Sequence, residues 1–300
     1  KRPGGNGVYY HISYYGEPEG YLWLCSTPLA LIAEEMTKAY ENNARELWVL
    51  NVGNFKTHEV AMEFFLRMAW DADRWNVQTV GQYYEYWSER EFGSKWADEI
   101  AEIKREYYRL NHIRKPEHMD FGLFDHTNYG DEAQRRLDSY HSLTAEAEKI
   151  FRELPAHKKD AFYELVLYPL KCSTFMNEKF LYAEKSNLYK KQQRASTNDY
   201  SRRARSAYES IQIETDYYNK KLADGKWNLA VTWSPHGSTK WTRSYHLPMV
   251  SSVKLSQESL MAISTEGQDM SSDISGEHFL PALDVFTKQS RFFDIFNKGN

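Results

Sequence analysis

Gly7-Val-Tyr-Tyr-His-Ile-Ser-Tyr-Tyr-Gly16, Tyr21-Leu-Trp-Leu-Cys-Ser-Thr27, the run from Pro28 to Asn43, and Arg45-Glu-Leu-Trp-Val-Leu-Asn-Val-Gly-Asn54 together decide the fold. Val8 to Tyr15 is rich in the aromatic and β-branched residues that suit a pleated surface. Thr27-Pro28 reads as a helix start, with a hydroxyl at the cap and proline at the first helical position, where a missing N–H costs nothing. Leu31, Ile32, Glu35, Met36, Ala39 and Tyr40 then recur at three- and four-residue steps along one predicted helix face. Leu47 to Val52 is apolar enough to be buried on both sides, and Gly53 ends it. The stretch is a β-α-β unit, and its two strands are expected to run parallel.

Polar side chains gather at the strand ends. Tyr10, His11, Ser13 and Tyr14 lie at or just past the end of the first strand. Asn51, Asn54, Lys56 and Glu59 follow the second. Parallel α/β folds bind ligands outside the carboxyl ends of their strands, so these residues are the candidate site. The alternative is that His11 and Asn51 only satisfy buried backbone groups.

Outward from this unit, Val60 to Trp70 is an apolar helix, 70–76 a turn, and 77–92 and 95–111 two amphipathic helices separated by Gly93. Residues 119–130, with two glycines, read as a linker. Three long helical stripes follow up to about Gly225. Pro169 lies inside the second and should distort it, because its ring removes a hydrogen bond. Ser196-Thr197-Asn198-Asp199 has the shape of a capping box opening the third. The basic run from Lys190 to Arg205 reads as a solvated face. From Lys226 the pattern turns irregular, punctuated by Trp227, Trp233, Pro235, Gly237, Trp241 and Pro248. Residues 256–278 are Ser-, Asp- and Gly-rich, and Arg291 to Phe296 reads as a strand with no partner.

The predicted architecture is therefore α/β: residues 1–118 as the closing part of a (β/α) barrel, 119–225 as an all-α helical bundle, and 226–300 as an extended segment leading into a β-sandwich. Net charge is −4, without the basic patch that nucleic acid needs. No apolar run approaches the roughly 18 residues of a membrane span. Two cysteines, Cys25 and Cys172, make no disulfide framework. No phosphate loop, His/Cys metal spacing or nucleophile elbow is present, so no cofactor or metal is expected. The aromatic share, 15%, agrees with sugar stacking but equally with an aromatic core.

Several of these stretches resemble glycoside hydrolase family 115. They are Gly-Gly-Asn-Gly-Val-Tyr-Tyr-His with Tyr14, the Tyr-Leu-Trp turn, Leu-Trp-Val-Leu-Asn-Val-Gly, Asp160 to Pro169, Arg194 to Asp199, Gly225 to Asn228, and Arg291 to Gly299. The resemblance implies a xylan α-1,2-glucuronidase, removing glucuronic acid or its 4-O-methyl ether with inversion. It implies a plant polysaccharide such as glucuronoxylan as partner and a secreted or periplasmic setting. His11 and Tyr14 match the family's sugar-contacting histidine and tyrosine, and Asn51 matches an asparagine at the next strand end. Inversion needs two carboxyl groups roughly 6.5–9.5 Å apart. The family's catalytic acids lie on strands before the Tyr-Tyr-His motif, which here would precede residue 1, so the catalytic residues are unknown and Glu59 is a weak candidate. The chain departs from the family pattern at Ser13 and Asn54, each replacing an aspartate, and carries Glu17-Pro18-Glu19 where the family has a glycine-rich, arginine-bearing loop. These changes leave a second reading open: an altered homologue that binds carbohydrate or acts on a different sugar. A homodimer built on residues 131–224 is a third.

Overall fold

The computed structural model describes residues 3–17, 19–232 and 246–299, so Pro18, Trp233, Pro235, Gly237 and Trp241 lie outside it. Elements run β1 (Gly7–His11), α1 (Leu29–Glu41), β2 (Leu47–Asn51), α2 (Glu59–Trp70), α3 (Val80–Phe92), α4 (Ala97–Ile113), α5 (Glu132–Glu153), α6 (Ala156–Phe162), α7 (Tyr168–Lys191), α8 (Thr197–Lys220), β3 (Met261–Thr265), α9 (Ser272–Ser275) and β4 (Phe293–Asn297). The fold is helix-rich α/β. It divides into two compact units that are discontinuous in sequence. One contains residues 1–118, 142–173 and 212–245, the other 119–141, 174–211 and 246–300.

In the first unit β1 and β2 pair in parallel, with Gly7 opposite Leu47 and His11 opposite Asn51. The buried stripe of α1 is Leu29, Ile32, Ala33 and Met36, rotated from the predicted one, and Glu35 is exposed beside Lys38. Pro28 rather than Thr27 precedes the helix, and no side chain caps it. The Thr27 hydroxyl instead donates to the Ile12 carbonyl at 2.9 Å. Aromatic rings fill the core: Phe64 packs 4.8 Å from Tyr83, Trp75 meets Tyr83 edge-on at 5.1 Å, and Trp87, Phe92 and Phe162 form a chain of edge contacts. The buried Trp23 indole donates to the Tyr168 hydroxyl at 2.9 Å.

Between α6 and α7, Tyr163–Leu167 forms one π-turn, so the chain stays helical through Pro169. A proline at 169 cannot donate to the carbonyl four residues back. The ammonium of Lys104, buried on α4, donates to that carbonyl, Leu165 O, at 3.0 Å. The wider turn and the borrowed donor are how the predicted distortion is absorbed.

In the second unit, β3 and β4 form an antiparallel pair, with Ile263 opposite Ile295 and Ser264 opposite Asp294. This corrects the reading of the last strand as unpartnered. Residues 119–130 are likewise an ordered turn, in which Asp125 Oδ1 accepts the N–H groups of Thr127 and Asn128, both at 2.7 Å. The capping box does not form: Asp199 pairs with Arg202, and Asn198 bonds the backbone of Val253. Arg194, read as part of a solvated basic face, is 5% exposed. Among the described residues, no helix is long and apolar enough to cross a membrane.

Candidate functional site at the ends of the parallel strands

Side chains alternate across a strand, so Tyr9 and His11 share a face while Tyr10 takes the other. Tyr9 and His11 meet edge-on at 5.0 Å, and Asn51 Nδ2, opposite His11, donates to the Tyr9 hydroxyl at 2.7 Å. The Tyr14 ring stands 6.5 Å from His11, also edge-on. His11 and Tyr14 are exposed and Asn51 is half-buried. Imidazole, two phenols and a carboxamide thus form one accessible patch with both donors and acceptors. Tyr10 is not part of it. Its ring stacks on Phe65 of α2 at 6.1 Å, and burial pushes its phenol up to about 12. Tyr9 takes its place, a residue that the two-residue alternation could have identified.

The loops behind this patch are tied together. Ser13, 1% exposed, accepts the N–H of Gly53 on its hydroxyl at 2.7 Å. A Cβ at Gly53 would lie 2.1 Å from Leu22 Cδ2, so any side chain there would have to displace the buried Leu22. Tyr14 and Tyr21 exchange backbone hydrogen bonds at 3.2 and 2.8 Å. The segment after Tyr21 is held by Glu117, whose Oε1 accepts the N–H groups of Trp23 at 2.9 Å and Leu24 at 3.0 Å. Burial raises the Glu117 carboxyl above its ordinary range, opposed by those N–H groups and by Lys115. Glu19 lies 3.5 Å from Arg114, whose charge offsets its own, and 3.6 Å from His118, which burial keeps neutral.

Asn54, Lys56 and Glu59 form a separate cluster. Asn54 Nδ2 donates to Ala230 O at 2.7 Å, and its Oδ1 accepts the Lys56 N–H at 3.2 Å. The Lys56 ammonium sits 3.4 Å above the Trp227 ring, 3.0 Å from Glu59 and in contact with Glu164. Burial, with the hydrogen bond that protonated Glu59 donates to Glu164 adding to it and Lys56 opposing, raises the Glu59 carboxyl to about 7. Neighbouring His58 is wholly buried and depressed to about 4, so it is neutral at physiological pH. Glu59 can therefore exchange a proton near neutrality, but its partners are Lys56 and Glu164. Glu164 and Trp227 escape local pattern reading because they lie more than a hundred residues from Lys56 in sequence.

Residues 1–118 match the family model described as "Glycosyl hydrolase family 115". No curated protein matches the chain. A solved structure, "A novel family GH115 4-O-Methyl-alpha-glucuronidase, BtGH115A, with specificity for decorated arabinogalactans", is 33% identical with a TM-score of 0.70. The match covers 87% of this chain but 35% of that one, so the chain spans about a third of that protein's length. The likeness carried by the Tyr-Tyr-His and Leu-Asn-Val-Gly stretches thus extends over residues 1–118 in sequence and over most of the chain in three dimensions, and the chain is similar to glycosyl hydrolase family 115.

Proposed function

We propose that this chain is part of a glycoside hydrolase that removes α-1,2-linked glucuronic acid, or its 4-O-methyl ether, from a decorated plant polysaccharide with inversion. The observation that carries the reading is the pairing of His11 with Asn51 at the carboxyl ends of two parallel strands, with Tyr14 beside them. In this reading β1-α1-β2-α2 is the closing part of a (β/α) barrel, and the exposed patch binds the uronate. The imidazole and phenols donate to its carboxylate, and the Asn51 amide addresses a ring hydroxyl. Inversion also requires an acid and a base, and none of the four patch residues is a carboxylic acid. The Ser13 hydroxyl and the Asn54 amide are committed to backbone partners.

The backbone carrying the uronate is open to a second reading. The structural neighbour is described as specific for decorated arabinogalactans, which favours a galactan over the xylan suggested by the sequence. Glucuronoxylan and glucuronated arabinogalactan oligosaccharides should be incubated with the full-length protein bearing this sequence, following the released anomer by proton NMR. Uronic acid released first as the inverted anomer is the expected result. No release from either substrate would overturn the assignment.

A further inference from the structure

We propose that the second unit carries its own binding site, for a single neutral sugar-sized polyol. A cavity of about 310 Å³ lies between the end of α7, the turn containing Asp131, and the β3–β4 pair. That volume is at the small end of ligand pockets and suits one ring rather than an oligosaccharide. Two cations that are at least nine-tenths buried, Lys185 and Arg194, reach its wall. Tyr189 and Phe292 supply apolar ring surface on the same wall.

The donors are incompletely used. The Lys185 ammonium has three N–H groups and donates to Asp131 at 2.8 Å and Gln134 at 3.3 Å, leaving one without an acceptor among the described residues. Arg194 spends Nε on Gln192 and Nη2 on Ser264 and Asp294. Its two Nη1 N–H groups have no acceptor among the described residues. The guanidinium is clamped between Tyr189 and Phe296, each about 4 Å away, so these donors are fixed in direction. A buried cation with spare N–H groups calls for oxygen acceptors from a guest.

Charge selects the class of guest. Lys185 is matched by Asp131, Arg194 by Asp294, and the lining His126 faces Glu184 at 3.4 Å. An anion would meet carboxylates beside every cation and would lose its hydration without a net Coulombic gain. A hydroxyl both donates and accepts, so neighbouring hydroxyls on one ring can bridge each cation–carboxylate pair. This site does not depend on the strand-end patch being a sugar site.

The test is nitrogen-15 NMR on the whole chain, titrated with galactose, xylose and arabinose, and separately with glucuronate and inorganic phosphate. Saturable shifts at the amides of Gly130, Thr265 and Gln268 with a neutral sugar are expected. Arg194→Lys, which removes the Nη1 donors but keeps the charge, and Gln268→Leu at the exposed rim should each weaken that binding by about tenfold. Should Arg194→Lys fail to fold, Gln268→Leu decides. Absence of shifts with every neutral sugar, shifts only with glucuronate or phosphate, or unchanged affinity in the folded variants would overturn the proposal.

Discussion

Replacing Glu117 is the sharpest test of how the strand-end patch is built. One carboxylate oxygen accepts two backbone N–H groups, those of Trp23 and Leu24, in a region closed to water. In Glu117→Leu both donors lose their acceptor. Each stranded donor costs about 1–3 kcal/mol, so the variant should lose about 2–6 kcal/mol of stability. Glu117→Gln keeps a carbonyl oxygen for the same two donors and removes a buried charge, so it should fall within about 1 kcal/mol of the parent. The two variants also separate in pH dependence. Because burial raises the Glu117 carboxyl, the folded chain holds a proton that the unfolded chain releases once the pH passes the ordinary carboxylate range. Parent stability then falls with rising pH relative to Glu117→Gln, and the gap closes in acid. Urea unfolding of all three proteins across mildly acidic to neutral pH measures both effects. A Glu117→Leu loss as small as that of Glu117→Gln, or a gap that widens in acid, would refute the argument. The Tyr14–Tyr21 bridge stands next to this segment, so Glu117→Leu should also loosen Tyr14, visible as faster amide exchange there.

Other predictions follow from named groups. Glu59, raised to about 7, should titrate near neutrality in carbon-13 carboxyl NMR. Its folded form retains a proton lost by the unfolded form between about 4.5 and 7, so its contribution to stability declines over that window by up to about 3 kcal/mol, and Glu59→Gln should abolish that slope in unfolding experiments. His58 acts oppositely: held neutral down to about 4, it makes stability rise from there to about 6.5, and His58→Gln should remove that rise, again read by urea unfolding at stepped pH. Gly53→Ala drives a methyl into Leu22 and should cost about 1–3 kcal/mol in thermal melts. In the full-length protein, His11→Ala or Tyr14→Phe should weaken uronate binding by about 1–3 kcal/mol by calorimetry, and unchanged affinity in both would place the pocket elsewhere.

The β-α-β unit was readable because its code is local: two short aromatic and β-branched runs flank a helix with periodic apolar positions. The strand ends, and therefore His11 and Asn51, follow from that pattern. Tyr10 is next to His11 in sequence, but alternation along the strand turns it onto Phe65 and brings Tyr9 to the patch instead. What could not be read is carried by pairings across long separations. Glu117 reaches Trp23, Lys104 compensates for Pro169, and Lys56 finds Glu164 and Trp227. No periodicity encodes such partners, because each is set by which helix packs where. The β3–β4 pair was missed for a related reason: its first strand, Met261–Thr265, is short and embedded in serine- and glycine-rich chain, and only its partner shows that it is a strand.

Ser13, where the family pattern has an acid, fastens one crossover to the next through Gly53. The two segments that carry His11 and Asn51 are thereby sewn at a point just beneath the patch. A displacement of one must drag the other, so the patch is stiff in the direction that would spread its polar groups apart. If the patch is the sugar site, its geometry is set before a guest arrives, and removing the hydroxyl at position 13 would loosen it without altering any of the groups that form the patch.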